Sequence, residues 1–147
     1  MKLVVQRVTS SSVEVDGEIV GAIEDGLMVL VGFGVNDSER EADYLARKLV
    51  KLRIFHDENE RMNRSVKDIG GKLLLVPQFT LYASTKKNRP SFHKALEPEK
   101  ATELFDYFAK KCGETVDVET GEFGAFMKVD LLNNGPVTIL LEKEFED

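Results

Sequence analysis

The chain has 147 residues, 42% of them hydrophobic, with a formal net charge of −6 and a pI near 5.1. A chain of this length buries about two thirds of the surface that it exposes when unfolded, so we expect one domain spanning residues 1–147. The acidic balance argues against a protein that coats nucleic acid non-specifically, because such proteins place many Lys and Arg residues at phosphates. Any nucleic-acid contact should be local, and no DNA partner is expected.

Strand patterns open the chain. Residues 3–8 alternate weakly, and residues 13–23 form two short runs around Asp16-Gly17, a pair suited to a type I′ hairpin turn. Residues 27–33 are apolar apart from Gly32, as in a strand that is covered on both faces. This strand is expected near the centre of a sheet.

Two helices are predicted. Ser38-Glu39-Arg40-Glu41 matches a capping box, and apolar residues then repeat at helical spacing to about Leu52. A second apolar stripe begins at Pro98 and ends before Gly113. Cys112 belongs to this stripe, so we interpret it as a packing residue and not as a nucleophile.

The second half of the chain returns to strand patterns. Residues 72–82 read as one strand that Pro77 interrupts, which requires an edge position, a bulge or a functional bend. Further strands are expected over residues 115–118, 125–132 and 137–142.

Cellular location is indicated by two negative features. Cys112 is the only cysteine, which excludes an intrachain disulfide and suits a reducing compartment. The first residues enter a strand directly, without a secretory leader or a run of about 20 apolar residues. We expect a cytoplasmic protein that makes no membrane contact. No metal-ligand spacing occurs, and we expect neither a metal nor another cofactor.

Few side chains suit acid–base chemistry. His56 and His93 are the only histidines, and neither G-x-S-x-G nor H-E-x-x-H occurs. A small metabolic hydrolase that pairs a distant histidine with a serine remains an alternative. Gln78, Phe79 and Thr80 follow Pro77 near a strand end, where amides released from ladder pairing could face an oxyanion. The structural alternative is an ordinary strand with Phe79 inward and its two neighbours outward.

A basic loop spans residues 84–94. Lys86, Lys87 and Arg89 interleave with Tyr82 and Phe92, a pattern that can bind phosphates and stack a base at a single-stranded end. A solvated loop is equally compatible with the pattern. A non-catalytic module that binds the end of an RNA therefore remains open as a function.

A Gly-Pro step lies between the last two strand-like runs. Gly135 relieves the restriction that Pro136 places on its predecessor and tolerates positive φ, so backbone carbonyls could be displayed there for recognition. A trans proline that closes a hairpin is the ordinary alternative. Arg7 is the one charge among its strand neighbours, and it either binds a backbone carbonyl or lies at an edge.

Six segments together resemble the D-aminoacyl-tRNA deacylase family, which includes the D-tyrosyl-tRNA deacylases. Each is weak alone, but their order and spacing are specific and cover almost the whole chain. They are Gln6-Arg7-Val8, Leu52-Arg53-Ile54-Phe55, Pro77-Gln78-Phe79-Thr80-Leu81-Tyr82-Ala83, Arg89-Pro90-Ser91-Phe92, Thr120-Gly121-Glu122-Phe123-Gly124-Ala125 and Asn133-Asn134-Gly135-Pro136-Val137-Thr138.

The resemblance implies an α/β fold leaning to α+β: one β-rich domain whose mixed and antiparallel sheets form a barrel-like core, with two main helices packed outside. It also implies a homodimer with active sites at the subunit interface. The implied reaction is hydrolysis of the ester between a D-amino acid and the terminal adenosine of tRNA, a proofreading step in translation. Glycine lacks a side chain to exclude, so glycyl-tRNA mischarged on tRNA-Ala is an implied further substrate.

The resemblance also assigns roles to residues. Gly135 and Pro136, joined by a cis bond, would enter the partner's pocket, capture the substrate ammonium with their carbonyls and exclude L-side chains. Amides around Phe79 and Thr80 would form the oxyanion site, with the ribose 2′-hydroxyl assisting water. Gln78 would line the pocket, Arg7 would support the Gly-Pro segment, Met127 would border the site, and Lys86, Lys87 and Arg89 would contact tRNA.

Two positions depart from the family pattern. Pro77 stands where serine is usual, which removes a hydroxyl and an N–H donor. Asn134 stands where an acidic residue is frequent, which leaves a neutral side chain of the same shape beside the Gly-Pro step.

Overall fold

A six-stranded mixed sheet dominates the computed structural model, which describes residues 1–146. Its strands are β1 (Lys2–Val15), β2 (Glu18–Ile23), β3 (Gly26–Gly32), β6 (Lys72–Pro77), β7 (Val118–Thr120) and β8 (Lys128–Glu142). The order is β2-β1-β3-β6-β7, and β8 pairs with β1 along its other side. A separate two-stranded sheet contains β4 (Phe55–His56) and β5 (Met62–Arg64).

Two helices connect the parallel part of the sheet. α1 (Glu39–Lys51) links β3 to the segment before β6, and α2 (Pro98–Gly113) links β6 to β7. Strands β3, β6 and β7 are parallel, as expected when each crossover carries a helix. None of the helices within residues 1–146 combines the length and the apolar character of a membrane span.

Strand β1 is long enough to pair with two different strands along the same edge. Its residues 2–8 pair with β3 and its residues 11–15 pair with β2, whereas β8 runs antiparallel along both halves. Strand β2 approaches β7 so closely that a Cβ at Gly21 would lie 2.8 Å from the Thr120 carbonyl oxygen. The sheet is therefore a nearly closed barrel.

Alternation along the central strands separates two cores. Leu27, Val29 and Val31 of β3 face α1 and α2 in the larger core, together with Leu73 and Leu75 of β6. The intervening residues face the barrel interior, where Met28, Leu74 and Val76 pack with Val8 and Val13 of β1. The predicted fold class, a barrel-like core with two helices outside, is confirmed.

Local signals predicted several elements correctly. Asp16 and Gly17 have φ angles of 51° and 81°, as a type I′ turn requires. Both hydrogen bonds of the capping box are present at the start of α1, between Ser38 and Glu41. Cys112 is fully buried in the larger core. Burial raises the pKa of its thiol to about 12, which agrees with a packing role.

Three strand predictions need correction. The strand expected over residues 72–82 ends at Pro77, because after the last backbone bond to β3, at Gln78, the chain turns into a 3₁₀ helix over Phe79–Tyr82. The strand expected over residues 115–118 is displaced, since β7 is Val118–Thr120. The two last predicted strands are one strand, β8, with an interruption in the middle.

Candidate active site

A short turn at the end of β6 presents two free amides. The Gln78 N–H donates to the Val31 carbonyl (2.8 Å), which ends the pairing with β3, and Leu81 N–H then donates to the Gln78 carbonyl (3.3 Å). The N–H groups of Phe79 and Thr80 begin the 3₁₀ helix, and within residues 1–146 no acceptor is hydrogen-bonded to either. Both residues are exposed. Two adjacent donors therefore face solvent.

Glycine 32 is what lets the turn lie against β3. A Cβ at this position would be 2.9 Å from the Leu81 Cβ and 3.0 Å from the Gln78 carbonyl oxygen, so a larger residue would displace the 3₁₀ helix. The sequence showed Gly32 only as a gap in an apolar strand. Its role depends on a contact with a distant segment, and the residue pattern alone could not reveal it.

The side chains of the turn lack an acid–base partner. Gln78 Nε2 donates a short hydrogen bond to the Thr80 hydroxyl, and across residues 1–146 that hydroxyl has no hydrogen bond to a carboxylate or an imidazole. His93 Nδ1 lies 3.2 Å from Ser91 Oγ, but this pair is exposed, and among residues 1–146 no carboxylate is hydrogen-bonded to the ring. The turn can polarise a carbonyl with its amides, but it offers no activated nucleophile.

The basic loop is anchored beside this turn. Ser84 and Ser91 exchange backbone hydrogen bonds of 2.8 and 3.0 Å, which makes the loop a hairpin with Lys86, Lys87 and Arg89 exposed on it. Phe92, directly after the hairpin, meets Phe79 edge to face, with ring centroids 4.9 Å apart and planes at 73°. The aromatic pair connects the cationic hairpin to the two free amides.

Met127 also lies near the turn. A Cβ at Gly121 would be 2.7 Å from the Met127 sulfur and 3.6 Å from the Pro77 ring, so these three residues are neighbours. The structure thus brings Gln78, Phe79, Thr80 and Met127 to one region. Tyr82, at the other end of the 3₁₀ helix, is buried, and burial raises the pKa of its phenol well above the ordinary value, so the phenol stays protonated.

The Gly-Pro step lies in a bulge of β8. Gln6 pairs with Thr138 and Val8 pairs with Asn133, so residues 134–137 stand opposite Arg7 alone and loop outward. The Gly135–Pro136 bond is cis, Gly135 has a φ of 143°, and both residues are exposed. The ordinary hairpin with a trans proline is therefore not what the structure contains.

Two side chains hold the bulge. The buried Arg7 donates from Nε to the Asn134 carbonyl (2.8 Å) and from Nη1 to the Ile54 carbonyl (2.7 Å). Asn133 spans the base of the bulge, because its Oδ1 accepts from Val137 N–H (2.7 Å) and its Nδ2 donates to the Val137 carbonyl (3.1 Å). Arg7 was predicted as the support, whereas Asn133 was missed. The Asn-x-Gly-Pro spacing, which lets one amide close a loop, was the available signal.

These two groups of predicted residues lie level with opposite ends of β3, on strands β8 and β6 that β1 and β3 separate. Arg7 pairs with Leu27 near the start of β3, whereas Gln78 bonds to Val31 near its end. Val31 lies four positions beyond Leu27, which is about 13 Å along β3 alone. Gly135, Pro136 and Asn134 therefore do not share a pocket with Gln78, Phe79 and Thr80 of the same chain.

Comparisons with known proteins identify the class. Residues 4–142 match the family model described as D-Tyr-tRNA(Tyr) deacylase. The chain is similar to the D-aminoacyl-tRNA deacylase of Koribacter versatilis (strain Ellin345), with 55% identity over 99% of both chains. It is also similar to that of Thermosipho melanesiensis (strain DSM 12029 / CIP 104789 / BI429), with 50% identity over 98% of both chains.

Solved structures share the fold. One titled as the c-Myc DNA unwinding element binding protein superposes with a TM-score of 0.94 at 41% identity, covering 99% of this chain and 100% of that one. Another, titled as a probable eukaryotic D-amino acid tRNA deacylase, has a TM-score of 0.81 at 17% identity, covers 95% of this chain and 97% of that one, and supports the fold alone.

The extent of the family match and the two relatives place this protein among enzymes that hydrolyse ester bonds. The chain belongs to the D-Tyr-tRNA(Tyr) deacylase family. The resemblance predicted from the six segments is thereby confirmed, and so is the class of enzyme.

Proposed function

We propose that this protein removes D-amino acids from tRNA by hydrolysing the ester to the 3′-terminal adenosine. The observation that carries the proposal is the pair of free amides at Phe79 and Thr80, in a chain that belongs to a deacylase family. Two N–H donors directed at one ester carbonyl stabilise the negative charge that develops when water attacks. The products are a free D-amino acid and tRNA with a free 3′-terminal hydroxyl.

The proposed chemistry needs little from side chains. With no imidazole or carboxylate hydrogen-bonded to Thr80 within residues 1–146, the attacking water is assisted by the substrate's own ribose 2′-hydroxyl. Thr80 is a site residue whose hydroxyl is held by Gln78 and is not the nucleophile. Neither a metal nor another cofactor enters this scheme.

We place the complete site between two copies of the chain. Within one chain the Gly-Pro bulge and the turn lie level with opposite ends of β3, so a two-fold arrangement can bring each bulge to the partner's turn. Strand β8 supports such a contact, because within residues 1–146 it pairs with no strand other than β1, and it exposes Leu132 (62%) and Leu140 (74%).

The bulge would select the enantiomer by exclusion. Carbonyl groups of Gly135 and Pro136 would bind the substrate ammonium, leaving space on the D side only. Two enantiomers carry identical groups, so a clash against one of them is the available discriminator. Such a filter does not read the side chain, and we therefore propose that many D-amino acids, and glycine on tRNA-Ala, are substrates.

Lys86, Lys87 and Arg89 would contact the phosphates near the 3′ end of tRNA. Their hairpin is joined to the turn through Phe92 and Phe79, which places the cations beside the proposed ester site. We propose that the protein acts in the cytoplasm as a single-domain homodimer.

Release of tyrosine from D-tyrosyl-tRNA and from L-tyrosyl-tRNA tests the function. The D ester should be hydrolysed at least about 100-fold faster, because a steric clash of about 3 kcal/mol gives that ratio. Equal rates, or no release of D-tyrosine, would contradict the proposal. Binding of charged and uncharged tRNA without ester loss would instead support the RNA-binding module. A His56→Ala/His93→Ala variant is the control. If it keeps full activity, the alternative of a hydrolase that uses a histidine and a serine is excluded.

A further inference from the structure

A basic cleft lies between the C-terminal halves of α1 and α2. It has a volume of about 590 Å³, and five cations line it: Arg47, Lys51, Arg53, Lys67 and Lys111. A second cleft of about 460 Å³ lies along the same ridge, shares Arg47, Lys51 and Arg53, and adds Lys48. The cations come from three separate segments of the chain, residues 47–53, Lys67 and Lys111.

Acidic residues do not balance this cluster. Three carboxylates line the first cleft and none lines the second, so the nine charged residues carry a net charge of +3 in a chain of net charge −6. Asp43 accepts from the Tyr107 hydroxyl (2.6 Å), and Asp68 accepts from the Ser65 amide (2.9 Å). Hydrogen bonds from Ser65 hold the Asp68 carboxylate in its local turn and lower its pKa.

Several of these cations have no ion-pair partner. The salt bridges formed within residues 1–146 do not include Arg47, Lys51 or Lys67. Lys48 and Lys51 lie in the last turn of α1 and Lys111 lies in the last turn of α2, where a positive charge stabilises the helix C-terminus. This effect accounts for their positions. It does not explain Arg53 and Lys67, which lie outside both helices and still face the same cleft.

The cleft is linked to the Gly-Pro bulge. Arg53 directly precedes Ile54. The Arg7 guanidinium donates both to the Ile54 carbonyl and to the Asn134 carbonyl in the bulge. The cationic ridge therefore begins beside the residues that hold the bulge. If the bulge completes the partner's site, the ridge lies beside that site. The acceptor arm of a tRNA whose 3′ end occupies the site would then run along the ridge.

We propose that the two clefts bind the phosphate backbone of the tRNA acceptor arm while its 3′ end occupies the site completed by the partner subunit. This inference rests on the proposed function, because it takes tRNA as the substrate. The chemistry required is a row of phosphates on a rigid duplex, which unpaired Arg and Lys side chains along a ridge recognise without reading sequence. The basic hairpin of the partner would contact the single-stranded end.

The test compares two variants that lose the same charge. Lys51→Gln/Lys67→Gln removes two cations from the first cleft, whereas Lys72→Gln/Lys100→Gln removes two exposed lysines that line neither cleft. Binding of uncharged tRNA is measured over a range of salt concentrations. The cleft variant should bind about 10-fold more weakly, and its log–log salt slope should fall by about 1.5 to 2, because each phosphate contact contributes about 0.9. The control should keep the wild-type slope.

Two shorter ligands sharpen the outcome. The difference between the variants should persist for an acceptor-arm duplex and vanish for an oligonucleotide of the single-stranded 3′ end alone. Equal salt slopes for the two variants on the duplex would overturn the proposal.

A small ester separates this proposal from the proposed function. Both variants should hydrolyse D-tyrosyl-adenosine at the wild-type rate, since that substrate has no duplex to reach the clefts. Failure of the wild-type enzyme to hydrolyse D-tyrosyl-adenosine and D-tyrosyl-tRNA would count against the deacylase function. The tRNA-binding comparison would still decide the role of the clefts.

Discussion

Phe79 and Thr80 contribute backbone amides, and not acidic or basic side chains, to the candidate site. Their N–H groups are free because a 3₁₀ helix begins directly after Gln78, whose N–H makes the last bond to β3. A residue pattern names side chains, so it indicated Gln78, Phe79 and Thr80 but could not show which atoms were available. The serine that the family usually carries at position 77 is not needed for this arrangement.

Replacing Phe79 with proline should remove one donor while leaving the turn in place. Gln78 has φ −146° and ψ 84°, outside the helical region that a following proline disfavours. The φ of a 3₁₀ helix, about −50 to −70°, matches that of proline. Loss of one oxyanion donor should lower kcat for D-tyrosyl-tRNA by about 10²- to 10³-fold relative to Phe79→Ala, which loses the ring and keeps the N–H. Steady-state kinetics of the two variants give this ratio, and equal kcat values would show that the amide is not a donor.

At the same scale, Asn133 shows where a residue pattern stops being informative. As a lone charge within an apolar strand, Arg7 left two readings open, a bond to a backbone carbonyl or an edge position, and its supporting role was predicted from the family resemblance. The Asn-x-Gly-Pro spacing was the local signal for Asn133, and its role became clear with the register of β1 and β8, in which four residues of one strand oppose a single residue of the other.

Among the elements, α1 depends on a local signal. Ser38 caps the helix and accepts from Arg40 N–H (3.3 Å), while Glu41 accepts from Ser38 N–H (3.0 Å). Burial would raise the pKa of Glu41, but hydrogen bonds from Ser38 and Phe145 lower it below its ordinary value. The charged carboxylate is therefore the form that the folded protein stabilises.

Removing the Ser38 cap should lower the stability of the protein. Ser38→Ala should cost about 1 kcal/mol of unfolding free energy, or about 2–4 °C in Tm for a chain of this size.

Glu41 should make the stability depend on pH. Because the pKa of Glu41 is lower in the folded state, its contribution to the free energy of unfolding is present above the ordinary pKa of 4.5 and is lost as the pH falls through the folded pKa. Thermal unfolding from pH 7 to pH 3 should show a shallower acid loss for Glu41→Gln than for wild type. An unchanged slope would contradict this role.

Elements specified by neighbouring residues were predicted, and those specified by distant ones were not. The Asp16-Gly17 turn and α1 carry their own signals within four residues. The continuity of β8 depends instead on β1, which pairs with it on both sides of the bulge. The sequence therefore showed two strands where the structure has one.

At the scale of the molecule, the main result is the separation of the two predicted halves of the site. The motifs indicated that the turn and the Gly-Pro step act together, but the strand order and register place them apart within one chain. A site shared between two chains accounts for both the motifs and the geometry.

Complementation between two defective chains tests this shared site most directly. Phe79→Pro damages the turn, and Gly135→Ala damages the bulge, because a Cβ there would lie 2.8 Å from Val137 Cγ2 and 3.1 Å from Arg7 Nη2 at a φ of +143°. Co-expression with two different affinity tags allows the mixed dimer to be purified through both tags, at about twice the chain mass of 16.5 kDa.

The mixed dimer contains one site with an intact turn and an intact bulge, and one site with both defects. It should therefore hydrolyse D-tyrosyl-tRNA at about half the wild-type rate, although each parent dimer is nearly inactive. A mixed dimer no more active than its parents, or an active wild-type protein that sediments as a monomer, would contradict the shared site.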